Sequence, residues 1–487
     1  MPPERDAAPA EPGPYAWYML AVLVLVYVAN YVDRQLLTIL APELKRDLGI
    51  SDAEFGFLYG TAFGVFYALF GIPLGRLADR WSRTRLLALG LTVWSLTTAL
   101  SGLSRSFAQI AAARVGVGIG EATAAPCAYS LIGDYFPPHR RATALGLYAT
   151  GLFIGGGVSL FLGSTIAQRW NAAFAGGAVP LGLAGWQAAF LLVGLPGLLL
   201  AGWVASLREP ARGRFDSDAA MAPPANVTAQ LLRDLGDIVP PFTLIAAVRR
   251  GRAALLANLT AAVVVALAAG LLVGWTGDAP QWLALGVGSY AVLSWLASVR
   301  HGDPATGALL RSRAFAGITV GYGAFALVGY ANLAFTPLYA IQELGADPAA
   351  AGLALGSIGG LGGVAGMILG GIVADRLARG GEHWRVIVAA IGAVGGMVCH
   401  AAMFSTASLF AYYAIVFFMQ VGNSVSLGGA SGLVVNLAPP RLRGTAAAAF
   451  VLGSTMIGLG LGPYAAGKLS VLLGDLGLGL LAILAVA

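Results

Sequence analysis

The chain has 487 residues, 58% of them hydrophobic and only 11% charged, with a mean hydropathy of +0.77. A soluble domain carries about 25% charged residues, so this composition excludes a soluble enzyme or binding module and indicates an all-α polytopic membrane protein. The formal net charge of +6 is no nucleic-acid signal, because the arginines cluster in short loops, where membrane topology requires them.

The head, residues 1–14, is rich in Pro and Ala and lacks the basic region and cleavage site of a signal peptide. It reads as a disordered cytoplasmic tail. Apolar segments follow at about 15–40, 54–77, 86–104, 107–133, 141–168 and 184–207, which together read as a six-helix bundle over 15–207. The polar stretch 208–252 reads as a cytoplasmic linker. Its end, from Pro240 to Arg252, reads as an interfacial piece with basic residues at the membrane surface. Two further apolar segments form an inserted hairpin over 253–300, expected outside the twelve-helix core. A second bundle over 301–487 carries segments at about 313–342, 350–374, 385–404, 408–437, 443–467 and 471–487. That makes fourteen candidate helices. The last is short and ends without a polar tail, which suggests that the chain is clipped there.

Arg80, Arg83 and Arg85, then Arg140 and Arg141, then Arg208, Arg212, Arg214, Arg249, Arg250 and Arg252, and later Arg311, Arg313, Arg376, Arg379, Arg385, Arg441 and Arg443 all fall on one side if the helices alternate. The positive-inside rule then puts both termini in the cytoplasm, and the chain in a bacterial inner membrane.

The stretch Tyr27-Val28-Ala29-Asn30-Tyr31-Val32-Asp33-Arg34-Gln35 follows a run with no charge from Ala16 to Val32. It places a carboxylate and a guanidinium inside a segment long enough to span a bilayer, which takes about 20 residues. Each such charge costs roughly 2.5–3.5 kcal/mol on insertion scales and usually faces a bundle interior or wet cavity. At about 100° per residue, Tyr27, Asn30, Tyr31 and Arg34 share a stripe with Asp33 at its edge, which reads as the lining of a polar cavity. In the fourth segment Arg114 and Glu121 are seven residues apart and share a face. Asp33, Glu121, Arg34 and Arg114 are the deep charges, all in the first half. The acids are candidates for carrying a proton, Asp33 before Glu121. The guanidiniums suit phosphate or carboxylate, whose two oxygens their fork can bind at once. The second half offers Tyr322, Tyr330, Asn332 and Phe335 in its first helix and Gln420, Asn423 and Ser424 in its fourth, neutral groups that suit an amphipathic ligand and also serve as interhelical hydrogen-bond formers.

An internal repeat is visible. Gly75-Arg76-Leu77-Ala78-Asp79-Arg80 returns as Gly371-Ile372-Val373-Ala374-Asp375-Arg376, and Pro137-Pro138-His139-Arg140-Arg141-Ala142-Thr143-Ala144 as Pro439-Pro440-Arg441-Leu442-Arg443-Gly444-Thr445-Ala446. Two landmarks in the same order argue for two parallel six-helix halves. With Gly75-x-Leu77-x-Asp79-Arg80-x-Ser82-Arg83-x-Arg85 between helices two and three, and Arg114-x-Gly116-x-Gly118-x-Gly120-Glu121 in helix four, the chain resembles the major facilitator superfamily. Tyr31-Val32-Asp33-Arg34, Gly118-Ile119-Gly120-Glu121-Ala122 and Asp134-Tyr135-Phe136-Pro137 are similar to its spinster family. That resemblance implies two six-helix bundles related by a pseudo-two-fold axis and export of lysolipids or sphingosine phosphate. It also implies a cytoplasmic latch, here Asp79, Arg80, Arg83, Arg85, Asp375 and Arg376, that forms when the transporter faces outward. The chain departs from superfamily antiporters in helix five, where Gly155-Gly156-Gly157 stands without the usual proline; a Gly462-Pro463 pair appears near the end instead. Antiport is therefore not implied by that motif.

The resulting expectation is a secondary transporter of an amphipathic anionic lipid, coupled to protons and needing no cofactor. A porter of small organic anions such as sugar acids is the alternative, since the same arginines would serve it. A lipid-modifying membrane enzyme needs an acid/base or metal set that the sequence does not display, and a non-transporting sensor would not need the buried charges. The expected partners are the substrate and membrane lipids, with no nucleic acid, and the chain is expected to act as a monomer. Gly116-x-Gly118-x-Gly120 is no nucleotide loop, since no strand precedes it. Cys127 and Cys399 are expected as free thiols with no metal site, and His400 as incidental.

Overall fold

A computed structural model describes residues 11–176, 178–213, 215, 226–302, 304–377, 380–381, 383–437 and 443–485. The described chain is helical throughout. The first half contains α1 (Pro14–Ile39), α2 (Ala41–Leu48), α3 (Asp52–Tyr59), α4 (Thr61–Ala78), α5 (Arg83–Ser101), α6 (Phe107–Glu121), α7 (Ala124–Tyr135), α8 (Pro138–Ala173) and α9 (Gly185–Ala205). Between the halves lie α10 (Val227–Gly236), α11 (Phe242–Arg250), α12 (Arg252–Thr276), α13 (Ala279–Gly302) and α14 (Pro304–Arg311). The second half contains α15 (Arg313–Gln342), α16 (Pro348–Leu377), α17 (His383–Met403), α18 (Leu409–Leu437), α19 (Arg443–Leu473) and α20 (Leu476–Ala482).

Local chemistry sets many of these ends. Ser51 and Glu54 form a capping box at the start of α3, which satisfies two of the backbone donors a helix start leaves open. Ser82 and Ser312 cap α5 and α15 by accepting from the amides of Arg85 and Phe315. Gly277, at φ 79°, stops α12 in the left-handed region that glycine enters without penalty.

Eleven helices among the described residues are long and apolar enough to cross a membrane, so the chain is an integral membrane protein. Three of the fourteen expected spans fall short of that standard. α5 carries two arginines and six hydroxyl residues, and the end of α13 lies outside the residues whose side chains are described. The final apolar helix covers only Leu476–Ala485, about 15 Å at 1.5 Å per residue, half of what a bilayer requires. The polar stretch after α9 is also more ordered than a linker need be, since it contains α10 and α11.

In the first half α1 packs on α8, and α5 packs on α6 and α9; in the second, α15 packs on α19, and α18 on α16 and α17. The halves meet along two seams, α8 with α16 and α3–α4 with α19. Glycine permits both. At the first, Gly157 and Gly356 touch backbone to backbone; a Cβ on Gly356 would lie 2.5 Å from the Cα of Gly157. At the second, a Cβ on Gly56 would lie 2.2 Å from the carbonyl oxygen of Pro463.

The α12–α13 pair packs on α4, and α13 also reaches α19. Thr61 Oγ1 lies 2.6 Å from both Gln281 Oε1 and Gly460 O, two acceptors for its one proton, while Gln281 Nε2 donates to Gly460 O at 3.0 Å. Tyr464 and Lys468 of α19 both reach Asp278 at 2.7 Å. These bonds bind the pair into the outer side of the second seam.

Candidate functional site

Three polar groups can be told apart: a buried charge cluster in the first half, a cavity between the halves, and an arginine network at the basic end.

The cluster is built on α1 and α6. Asn30, Asp33, Arg114 and Glu121 are all buried. Arg34 Nε donates to Glu121 Oε2 at 2.6 Å, and its side chain keeps 17% exposure where that of Glu121 has none. The Arg34 guanidinium also lies over three rings, Phe63 at 4.6 Å, Tyr67 at 4.7 Å and Tyr31 at 5.2 Å, an arrangement in which ring faces attract a cation. Arg114 Nε donates to Leu58 O at 3.4 Å, and its guanidinium lies 5.3 Å from the Phe63 ring. The break at Gly60 supplies that carbonyl, because no backbone amide of α4 reaches it among the described residues. Asp33 lies beside Thr98, Glu121 and Arg114. Two acids and two bases therefore balance inside the first half. Asn30 lies beside the Glu121 carboxylate, and Glu121 Oε1 and Asn30 Nδ2 form no hydrogen bond of good geometry among the described residues, an uncommon condition for buried polar atoms.

The cavity, about 290 Å³, lies between the halves. Leu152, Phe153, Leu160, Phe325, Leu333, Met367 and Met419 give it an apolar body; Tyr31, Gln35, Tyr322, Tyr330, Gln420, Asn423 and Ser424 give it polar points. None of its lining residues is charged. The stripe read on α1 as cavity lining therefore divides: Tyr31 lines the cavity, joined by Gln35 from outside the stripe, whereas Tyr27 does not line it and Asn30 and Asp33 are buried in the cluster. Arg34 and Arg114 do not line it either; of the three rings beside the Arg34 guanidinium, Tyr31 lines the cavity while Phe63 and Tyr67 do not. Asn332 is fully buried off the lining, both amide atoms without a partner among the described residues. Asn423 lines the cavity, its Oδ1 likewise without a partner among the described residues. His400 is wholly buried beside the Gly396 backbone.

At the basic end, the fully buried Arg83 pairs with Asp134, and with Glu209 at 2.6 Å. It also donates to Ser130 O at 3.2 Å and Pro210 O at 3.0 Å. Arg76 and Arg80 pair with Asp234 of α10 at 2.9 and 3.1 Å. Arg212 donates to Ala78 O and Trp81 O. Asp79 and Arg85 are exposed, so the acid partners of this loop are Asp134, Glu209 and Asp234. Sequence reasoning named none of the three as a partner of this loop, although a buried arginine demands a carboxylate and Glu209 directly follows the arginine after α9. In the repeat, Arg376 is exposed. Arg379 and Pro439-Pro440-Arg441-Leu442 lie outside the described residues, as do the side chains of Asp375, Arg385 and Arg443. Cys127 and Cys399 are free thiols, and no group that could hold a metal occurs among the described residues.

A family model described as Major Facilitator Superfamily matches residues 23–463. The chain belongs to that superfamily. It is a membrane transporter, then, and not an enzyme. A crystal structure of a bacterial homologue of the human lysosomal transporter spinster, inward-facing and occupied, is similar to it with a TM-score of 0.67 and 25% identity, over 94% of this chain and 82% of that one. An MFS-type efflux pump of Mycolicibacterium smegmatis is 28% identical over 94% of this chain and 86% of its own. The probable L-galactonate transporter of Escherichia coli is 32% identical, over 38% of each chain.

Proposed function

We propose that this superfamily transporter moves an amphipathic anionic lipid, of lysolipid or sphingosine-phosphate type, by alternating access coupled to protons. The observation that carries the reading is the pairing of an apolar, uncharged cavity with a guanidinium 5.2 Å from the ring of Tyr31, one of the cavity's lining residues. The apolar body suits an acyl chain. Tyr31, Tyr322, Tyr330, Gln420 and Asn423 offer hydrogen bonds to the polar part of the ligand. Arg34 is the anion receptor and Arg114 its buried support.

The coupling follows from exchange of partners. With no anion present, Arg34 is neutralised by Glu121 at 2.6 Å. An anionic head group that takes Arg34 leaves Glu121 and Asp33 as two carboxylates in one buried site, which repel each other at low dielectric. A proton on one of them relieves that repulsion, so anion binding and protonation occur together. The basic end is the cytoplasmic face in this reading, and the likeness to an inward-facing relative fits a cavity approached from that side.

A second reading, a porter of small organic anions, is favoured by the galactonate relative and by the amides of Gln420 and Asn423. One experiment separates the two and tests the coupling. Purified protein in liposomes is assayed for flux of a lysophospholipid and of a sugar acid, with and without an imposed pH gradient. The expected result is gradient-driven lysophospholipid flux, with Asp33→Asn and Glu121→Gln each losing the response to the gradient. Flux of the sugar acid alone overturns the lipid assignment. Normal gradient response in both variants overturns coupling through this cluster.

A further inference from the structure

We propose that α11 and the first residue of α12 form a binding surface for anionic lipid headgroups of the leaflet at the basic end. The argument begins with α12. Its 25 residues are about 37 Å long at 1.5 Å per residue, enough to cross a bilayer, and Leu256, Val263, Val264, Leu267 and Leu271 stand exposed along it. A helix that presents those residues outward has lipid around it. Only Gly251, at φ 109°, separates α12 from α11. That left-handed corner turns the chain at the membrane surface and fixes the depth of α11.

The two sides of α11 differ. Thr243 and Ala247 are buried, and Thr243 Oγ1 lies 3.0 Å from the Tyr290 hydroxyl of α13. On the other side Phe242, Ile245 and Val248, spaced three apart, are 52%, 53% and 59% exposed. Three large apolar groups on one arc of a short helix at this depth mark an interfacial helix whose apolar face enters the boundary of the acyl region. Arg249 falls on the same arc by helical spacing, and Arg249, Arg250 and Arg252 are all exposed. Arg250 is paired with Asp237; Arg249 and Arg252 have no carboxylate partner among the described residues. An apolar wedge flanked by two unneutralised guanidiniums is complementary to an anionic phospholipid, with phosphate at the arginines and chain beside Phe242.

The surface is also wired to the transporter. Asp237 immediately follows α10, and Asp234 of α10 takes Arg76 and Arg80 from the end of α4. A headgroup that competes for Arg250 therefore acts on the segment holding those two arginines.

The test uses the full chain in nanodiscs of phosphatidylcholine with and without phosphatidylglycerol. Native mass spectrometry reads the lipid retained on release. A nitroxide at Ile245→Cys, with Cys127 and Cys399 replaced by Ala, reads depth by its relaxation with oxygen and with a water-soluble nickel reagent. The expected result is selective retention of phosphatidylglycerol, falling about five-fold for each arginine removed in Arg249→Gln and Arg252→Gln, and a nitroxide that oxygen reaches better than nickel. Unchanged retention in the double variant overturns the proposal. So does a nitroxide open to nickel, or one shielded from both reagents, which would mean that protein covers this face. Neither readout involves transport, so failure here leaves the substrate assignment standing, and the reverse holds.

Discussion

Arg83 is wholly buried, and two separate segments converge on it: α7, with Asp134 at its end and Ser130 one turn before, and the stretch just past α9, with Glu209 and Pro210. Removing one partner of such a group leaves an uncompensated buried charge, which costs about 3–5 kcal/mol. Arg83→Ala is expected to lower the melting temperature of the detergent-solubilised protein. Glu209 gives the effect a pH signature. Burial pushes its carboxyl up, but hydrogen bonds from the Thr84 amide and Arg83 outweigh that and hold it below the ordinary glutamate value of 4.5. A carboxyl depressed by folding contributes stability that is complete above its unfolded pKa and is lost as pH falls through the folded one. Glu209→Gln should therefore melt lower than the parent at neutral pH, and the gap should close as pH drops below about 4. A gap independent of pH would show that Glu209 matters by packing and not by charge. At this scale the sequence reveals which groups are charged inside the membrane, because hydropathy makes them conspicuous. It does not reveal partners: Arg34 meets Glu121 across 87 residues of chain, while Asp33, its neighbour in sequence, lies beside Thr98, Glu121 and Arg114. Pairings depend on helix rotation and on breaks such as Gly60, and these are set by packing between helices that periodicity within one helix does not contain.

The α12–α13 pair is an element whose existence is plain from hydropathy and whose placement is not. Its charge-free core offers no clue that Gln281 fits between Thr61 of α4 and Gly460 of α19, or that Asp278 holds Tyr464 and Lys468. Its bonds to α19 outnumber its bonds to α4, so the pair should travel with the second half when the seam parts. Two cross-links distinguish the possibilities in a background without Cys127 and Cys399. A short bifunctional reagent joining Asp278→Cys to Lys468→Cys fixes the pair to the second half and should leave flux close to that of the uncross-linked protein. The same reagent joining Thr61→Cys to Gln281→Cys ties the pair to the first half and should stop transport. If the second cross-link is harmless, the pair does not ride with α19, or this seam stays shut throughout the cycle. The repeated arginine loops illustrate the limit from the other direction. Gly75 to Arg80 and Gly371 to Arg376 match in sequence, yet Arg76 and Arg80 find Asp234 in a helix that belongs to neither bundle. The repeat predicts two equivalent helix ends but cannot predict what the segment between the halves does with one of them.

For the molecule as a whole, the two-bundle architecture was legible because two landmark loops, Gly75 to Arg80 and Pro137 to Ala144, recur in the same order in the second half. The conformational state was not, since one sequence must specify every state of the cycle with small energy differences between them. The structure places firm inter-half contacts at the end opposite the arginine loops. Phe55 meets Phe335 edge to face at 5.4 Å, Ser470 donates to Asp52 at 2.9 Å, and Gln168 donates to Asp347 at 3.2 Å. Gly467 lets α19 approach closely enough that a Cβ there would lie 2.1 Å from Asp52 O. Interfaces of this kind are either docked or parted, because interdigitated backbone contacts do not stretch gradually. Alternating access therefore requires Asp52 and Ser470 to separate once per cycle. A disulfide between Asp52→Cys and Ser470→Cys, in the background lacking native cysteines, should hold this end closed. Oxidation should abolish flux in proteoliposomes while leaving ligand binding from the basic end within about two-fold of the reduced protein, since the cavity is untouched and a ligand with equal affinity for both states shifts neither. Reduction should restore flux. If the oxidised protein transports at the reduced rate, the ends do not part, and substrate must leave through the side of the bundle instead.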